Sequence, residues 1–234
     1  MIKIENVVLP SAEQWDAVIR GMRNPMNSWD KSDSHYGCSG IDCDECEYGD
    51  LDMSECPTWF MGDKDNVLAF KLANAGPVHA KYRRMIPVYL DIVAPLYWWK
   101  EFDTYKVGTV CNSCSTMHKI HKKEFTLDDF SCEHLLDTQK DVLETIVNGL
   151  NNMRYNFINY ETLNTPCYVD KKDYWWQMIQ LLPSSYNQRR TIMLNYEVLA
   201  NIYEWRKNHK LDEWREFCEW IKTLPYSELI TGVE

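Results

Sequence analysis

No stretch of this 234-residue chain is apolar for long enough to cross a bilayer as a helix, which takes about 20 residues. No secretory signal, with its basic start and short apolar run, is evident at the amino terminus. The expectation is a cytoplasmic protein. Positive charge is scarce as well: 25 Lys and Arg stand against 35 Asp and Glu, a net charge of −10. That balance argues against a nucleic-acid backbone as the main partner, because neutralising phosphates needs a basic surface. Internal repeats and low-complexity tails are also missing. One domain, residues 1–234, is the simplest organisation, and its length is enough for a proper core.

Aromatic residues and cysteine are plentiful. The 10 Trp and 14 Tyr include the pairs Trp98-Trp99 and Trp175-Trp176. Such rings serve core and subunit packing, or stack on a flavin or a base. The run Leu96–Trp99 reads as a surface that needs burial beyond one domain's core, which predicts an oligomer. Nine cysteines without a secretory signal are reduced thiols or metal ligands rather than a disulfide framework.

Hydrophobic periodicity predicts a mixed α/β chain. Ile2–Val8 reads as a strand, and Ser11 with Gln14 forms a capping box for a helix reaching about Met22. A polar stretch, Asn24–Lys64, is longer than a structureless loop should be in a compact domain. Asp65–Ala75 reads as a helix stopped by Gly76 and Pro77. Ile86, Val88, Leu90 and Ile92 alternate with other residues as in a two-faced strand. Thr138–Asn159, Lys171–Leu182 and Asp212–Thr223 read as helices.

Leu182–His209 reads as one long helix, opened by Pro183 and the hydroxyls of Ser184 and Ser185. At about 100° per residue, Ile192, Val198, Leu199, Ile202 and Tyr203 share one apolar face. Asn195, Arg206 and His209 project from the same stripe. A guanidinium buried there would cost several kcal/mol unless a carboxylate or a ligand anion met it. One such residue suggests an internal network; three on one stripe suggest a ligand site.

The run Leu182-Pro183, Asn195, Asn201, Arg206, His209 resembles the carboxy-terminal part of the flavin-dependent thymidylate synthases. Those enzymes carry a Leu-Pro, two asparagines six apart, an arginine five further on, and a histidine soon after. Ala94-Pro95 matches the end of a family strand, and Asn112 with Ser115 matches an Asn-x-x-Ser element. The resemblance covers most of residues 65–230. Residues 36–57 have no counterpart and read as a Cys-rich insertion. The family's Arg-His-Arg signature falls on Thr104, Tyr105 and Lys106, its nucleotide-holding glutamine on Glu101, and its Arg-Tyr on Met117 and His118.

The resemblance implies a sheet packed with long helices, a homotetramer, and FAD and nucleotide held between subunits. It implies reductive transfer of a one-carbon unit from methylenetetrahydrofolate to C5 of dUMP, with NADPH as reductant. Arg206 would polarise the pyrimidine carbonyl, and Asn195 would orient Arg206. His79, Lys106, Asn112, Asn195, Asn201 and His209 would line the FAD site, while Ser115 and Arg189 would contact phosphate. The rival reading is a divergent relative, of phage type, that binds a nucleotide or a host protein without turnover. Cys111 and Cys114, near His118, Lys119 and His121, would be an alternative nucleophile if a base activated them.

The insertion carries Cys38, Cys43, Cys46 and Cys56 in the spacing C-x4-C-x2-C-x9-C, with His35 three residues ahead. Four thiolates can close a tetrahedral zinc site, and Asp42, Asp44, Glu45, Glu47, Asp50, Asp52 and Glu55 add a field that favours a cation. The same residues also suit an acidic loop with free thiols, or an iron–sulfur cluster in view of Cys56-Pro57. The zinc reading predicts about one equivalent per chain after chelator-free purification, measured by elemental analysis. Less than about a tenth of an equivalent removes it, because structural zinc binds tightly.

Overall fold

The structure, a computed structural model, describes residues 2–37, 58–162 and 169–232. In chain order its elements are β1 (Lys3–Val8), α1 (Ala12–Arg23), β2 (His35–Tyr36), β3 (Trp59–Phe60), α2 (Asp63–Asn74), β4 (Pro87–Pro95), α3 (Leu96–Phe102), β5 (Val110–Ser113), α4 (Asp137–Ile158), α5 (Lys171–Leu181), β6 (Asn187–Asn195), α6 (Tyr196–Arg206), α7 (Asp212–Ile221) and α8 (Glu228–Thr231), with short 3-10 turns between some of them. The mixed α/β class is as the sequence predicts. Among the described residues no helix is long and apolar enough to cross a membrane. The cysteines of the insertion, Cys38, Cys43, Cys46 and Cys56, lie outside the described residues.

The chain divides into two compact units. One comprises Met1–Asn6, Leu90–Lys106 and Cys111–Ile192; the other comprises Val7–Tyr89, Val107–Val110 and Met193–Glu234.

In the first unit the strands keep the order β1-β4-β6-β5. β4 buries Leu90, Ile92 and Ala94 on one face, the period-2 pattern of a strand covered on one side. Pro95 ends it and starts α3, since its fixed φ, here −68°, suits a helix entry. The first N–H groups of α3 have no partner within the helix. Leu96 N donates to the Tyr186 carbonyl and Tyr97 N to the Ser184 carbonyl, both at 3.0 Å. α3 then buries Trp98, Trp99 and Phe102, with ring centroids 4.9–5.3 Å apart. This corrects the expectation for Leu96–Trp99: both tryptophans are wholly buried within the chain, so they are not an oligomer surface. A second cluster joins α4 and α5 through Leu143, Val147, Leu150 and Met178, with Phe125 and Phe130 against them.

Leu182–His209 is not one helix. Residues 183–186 form a turn closed by Tyr186 N donating to Pro183 O, β6 follows, and the helix begins only at Tyr196. Ser184 and Ser185 cap nothing at this point; their carbonyls accept from Tyr97 N and Ser131 N instead. The misreading has a physical cause. Ile192 and Leu194 are buried at strand spacing, yet Ile192 also falls on the helical stripe of Val198, Leu199 and Ile202. Only the neighbouring strands distinguish the two.

In the second unit, α1 carries the predicted capping box: Ser11 N donates to Gln14 Oε1 at 2.9 Å, and Gln14 N to Ser11 Oγ. Its buried Trp15, Val18, Ile19 and Met22 follow helical spacing. α6 packs against α7 and α8. Arg83 ties the 3-10 turn before β4 to this group, donating to Glu197 at 2.8 Å and to the Leu229 carbonyl at 3.0 Å.

Two carboxylates hold the described ends of the polar stretch after α1 together. Asp33 accepts from Lys64 N and Asp65 N and so caps α2 from a distance, and a Cβ at Gly62 would fall 2.2 Å from its Oδ1. Asp65 is wholly buried and accepts from Arg23 Nε at 2.5 Å, from the hydroxyls of Ser32 and Ser34, and from Asp33 N and Ser34 N. Next to this network, β2 and β3 pair antiparallel and Gly37 N donates to Thr58 O, which closes the base of the insertion.

Burial raises the Asp65 pKa, but the two serine hydroxyls and Arg23 outweigh it and hold the group below the usual carboxylate value. A depressed folded pKa means that this stabilisation is complete above about pH 4 and is lost as pH falls through the folded value. Asp65→Asn should therefore lower stability at pH 7 by about 3–5 kcal/mol, since it strands a buried guanidinium. It should also flatten the acid limb of a pH series of thermal melts. An unchanged melting temperature for the variant would contradict the assignment.

Candidate functional site

α6 starts where β6 ends, and Asn195 makes the change. Its backbone is extended, and its buried side chain accepts from Val198 N at 3.1 Å, a cap inside the second unit. Tyr196 N donates to Ile86 O, and the Tyr196 hydroxyl donates to the Pro225 carbonyl at 2.6 Å. Gly108, with φ +83°, lies against the cap; a Cβ there would be 3.0 Å from Asn195 Nδ2 and 3.1 Å from Val198 Cγ2.

Arg206 is the last residue of the same helix. At ~1.5 Å per residue it stands about 16 Å from Asn195 along the axis. Within one chain Asn195 therefore does not orient Arg206, and the single stripe read from the sequence is replaced by two helix ends. At the far end, the Arg206 guanidinium carbon sits 4.8 Å over the Trp214 ring. His209 meets the same indole edge-on at 6.3 Å. Its Nδ1 accepts from Leu211 N at 3.2 Å, which leaves Nε2 as the proton-bearing nitrogen of the neutral ring, and Arg215 donates to its carbonyl. Arg206 and His209 are thus brought together on one aromatic platform. Such stacking fixes a planar, permanently charged donor. Asn201 is exposed on α6, and His79 is exposed just before the 3-10 turn Ala80–Met85.

In the first unit, Arg189 lies on β6 and is already engaged. It pairs with Asp91 at 2.6 Å and with Glu5 at 3.1 Å. Asp91 also accepts from Thr191 Oγ1 and from Asn6 Nδ2 at 2.8 Å. The Arg189 hydrogen bond first, then those of Thr191 and Asn6, hold this carboxyl well below the usual range. Cys114 N donates to the Arg189 carbonyl at 3.0 Å, which sets the start of the next loop beside Arg189. One residue on, Ser115 Oγ accepts from His118 N at 2.9 Å. Asn112 on β5 and Lys106 are exposed.

Arg190, which the sequence reading passed over, is the most enclosed cation of this strand. Its guanidinium carbon lies 4.2 Å over Trp99. It donates to Asp103 at 2.6 Å and to Gln188 Oε1 at 2.9 Å, and it approaches the Cys111 sulfur at 3.7 Å. The available signal was the Arg189-Arg190 doublet, because consecutive strand residues face opposite sides. Cys111 and Cys114 are exposed, and Cys111 has a guanidinium rather than a base as its neighbour. Cys218 is buried, and burial pushes its thiol up to about 12, which leaves it inert.

No protein-family model matches the chain, and no curated protein matches it in sequence. Solved structures do. One is a flavin-dependent thymidylate synthase (ThyX) from Helicobacter pylori with FAD and dUMP. The match has a TM-score of 0.61 and 14% identity, and covers 99% of this chain and 97% of that one. A UMP/dUMP methylase, PolB, from Streptomyces cacaoi bound with 5-Br dUMP matches with a TM-score of 0.56 and 11% identity, over 99% of this chain and 95% of that one. At such identity the likeness is one of architecture. This chain has the flavin-dependent thymidylate synthase-like fold over nearly its whole length.

Proposed function

We propose that the chain is a flavin-dependent enzyme of uracil nucleotides, which transfers a one-carbon unit reductively from methylenetetrahydrofolate to C5 of dUMP. The supporting observation is the end-to-end likeness of fold to enzymes whose structures hold FAD and dUMP or a dUMP analogue. Residues 1–234 would act as one domain carrying a Cys-rich insertion at about 36–57. The working form would be a homotetramer in the cytoplasm.

The donor chemistry fits an FAD and a pyrimidine. Arg206, held over Trp214, is a donor placed before any ligand arrives, and it suits a developing negative charge on a pyrimidine carbonyl. His209 beside it and the exposed Asn201, His79, Asn112 and Lys106 supply further donors for a flavin edge and its phosphates. Asn195 enters as the cap that starts α6. Ser115 and Arg189 are the phosphate contacts of this reading. When bound, FAD would supply the hydride and carry the carbon, with NADPH as reductant.

One observation favours the second reading, a relative that binds without turnover. Arg189 is matched by two carboxylates, so a phosphate would have to displace Asp91 or Glu5 before reaching it.

Thermal melts with FAD, dUMP or both, together with the absorption spectrum of the purified protein, test the proposal. The expected result is a yellow protein stabilised by each ligand. Arg206→Lys should keep the ligand-free melting temperature nearly unchanged and weaken ligand binding by about 1–3 kcal/mol, through loss of the planar fork. No stabilisation by either compound would overturn the enzyme reading. A collapse of the ligand-free Arg206→Lys protein would make Arg206 a structural residue.

A further inference from the structure

One face of the first unit gathers cations that the proposed chemistry does not use. The run Met117–Lys123 reads Met-His-Lys-Ile-His-Lys-Lys. Its centre is a 3-10 turn, Ile120–Lys122, anchored by buried Ile120. Two helices hold it in place. Arg154 of α4 donates Nε to the His121 carbonyl at 2.9 Å, and Trp175 of α5 donates to the Met117 carbonyl at 2.8 Å. Phe157 of α4 then brings an imidazole and a cation together: the His121 ring lies 4.8 Å from it, and Lys171 Nζ of α5 lies 5.7 Å from its centroid.

Three nearby acids are committed elsewhere. Asp129 takes Lys123 at 2.7 Å, and Asp170 and Asp173 cap their own helix. Glu161 stands 3.7 Å from Lys171, the only carboxylate paired with this group among the described residues. Lys119, Lys122 and Arg154 have no ion pair among the described residues, and Arg154 uses only its Nε. His121 Nδ1 is buried without a hydrogen-bond partner among the described residues. Burial first, then Lys119, Lys122, Arg154 and Lys171, hold the His121 pKa below its usual value. Among the described residues this cluster of like charges, with a buried imidazole nitrogen beside it, has one carboxylate against four cations.

We propose that the cluster Lys119, His121, Lys122, Arg154 and Lys171 binds a small phosphorylated ligand through a di- or triphosphate group. Lysines and a guanidinium fork are the groups that recognise phosphate oxygens. The cluster spans one turn and two helix ends, which suits a compact oligophosphate. With a net charge of −10 the rest of the chain repels a long polyanion. The site does not depend on the flavin reading, since it shares no residue with the Arg206 platform.

The test uses the full chain with pyrophosphate and tripolyphosphate at low ionic strength, read by calorimetry and by the His121 imidazole resonances. Saturable binding that shifts His121 and weakens with added salt is expected. The Lys119→Gln/Lys122→Gln double variant changes two exposed side chains. It should melt like the wild type and bind about tenfold or more weakly, as expected for lost charge-assisted hydrogen bonds. Arg206→Lys should bind as the wild type does, which separates this site from the nucleotide platform. Unmoved His121 resonances, undiminished binding by the double variant, or binding of a single-stranded oligonucleotide but not of pyrophosphate would each overturn the proposal.

Discussion

A single buried amide, Asn195, determines what the residues around it can do. By accepting from Val198 N it ends β6 and starts α6. With the change placed there, Arg189 and Arg190 become strand residues on opposite faces, and Arg206 becomes the end of a helix. Shifting the start of the helix by one residue would rotate Arg206 by about 100° and take it off Trp214. The positive φ of Gly108 and the buried Tyr196 hydroxyl support the same point in the chain, so backbone, packing and hydrogen bonding agree there.

The arginines show how an acidic chain handles its few cations. Arg23 is matched by Asp65, Arg83 by Glu197, Arg189 by Asp91 and Glu5, and Arg190 by Asp103. Each of these pairs joins segments far apart in sequence, so each narrows the set of compatible folds as well as neutralising charge. The ordered base of the Cys-rich insertion depends on the most buried of them. The cluster around His121 departs from this pattern, with one turn holding several cations and few acids, and that contrast gives it its interest. Aromatic faces complete the scheme: Trp99 and Trp214 each carry a guanidinium, a use of tryptophan that composition alone does not reveal.

Local chemistry was legible wherever a short-range rule decided the outcome. The capping box at Ser11 and Gln14, the stop at Gly76 and Pro77, the alternation of β4 and the long helix α4 could all be read from sequence within a residue or two. Those signals depend on neighbours within about one helical turn or two strand residues. The sequence spacing of Asn195, Asn201 and Arg206 carried the resemblance, and the fold it implied is the fold observed.

The β6 strand, the burial of Trp98 and Trp99, and the platform on Trp214 were not legible. Ile192 fits a helical stripe and a strand face equally well, and only β4 and β5, distant in sequence, supply the hydrogen bonds that favour the strand. Whether Trp98 and Trp99 face a partner or the core depends on what covers them, which involves Gln188, 89 positions from Trp99. By itself the sequence determined the class of fold, the charge balance and the ends of α1, α2 and α4, because these follow from local propensity and composition. Tertiary structure alone decided which carboxylates and which indoles the arginines meet. Those outcomes are set by contacts between segments that no local pattern encodes.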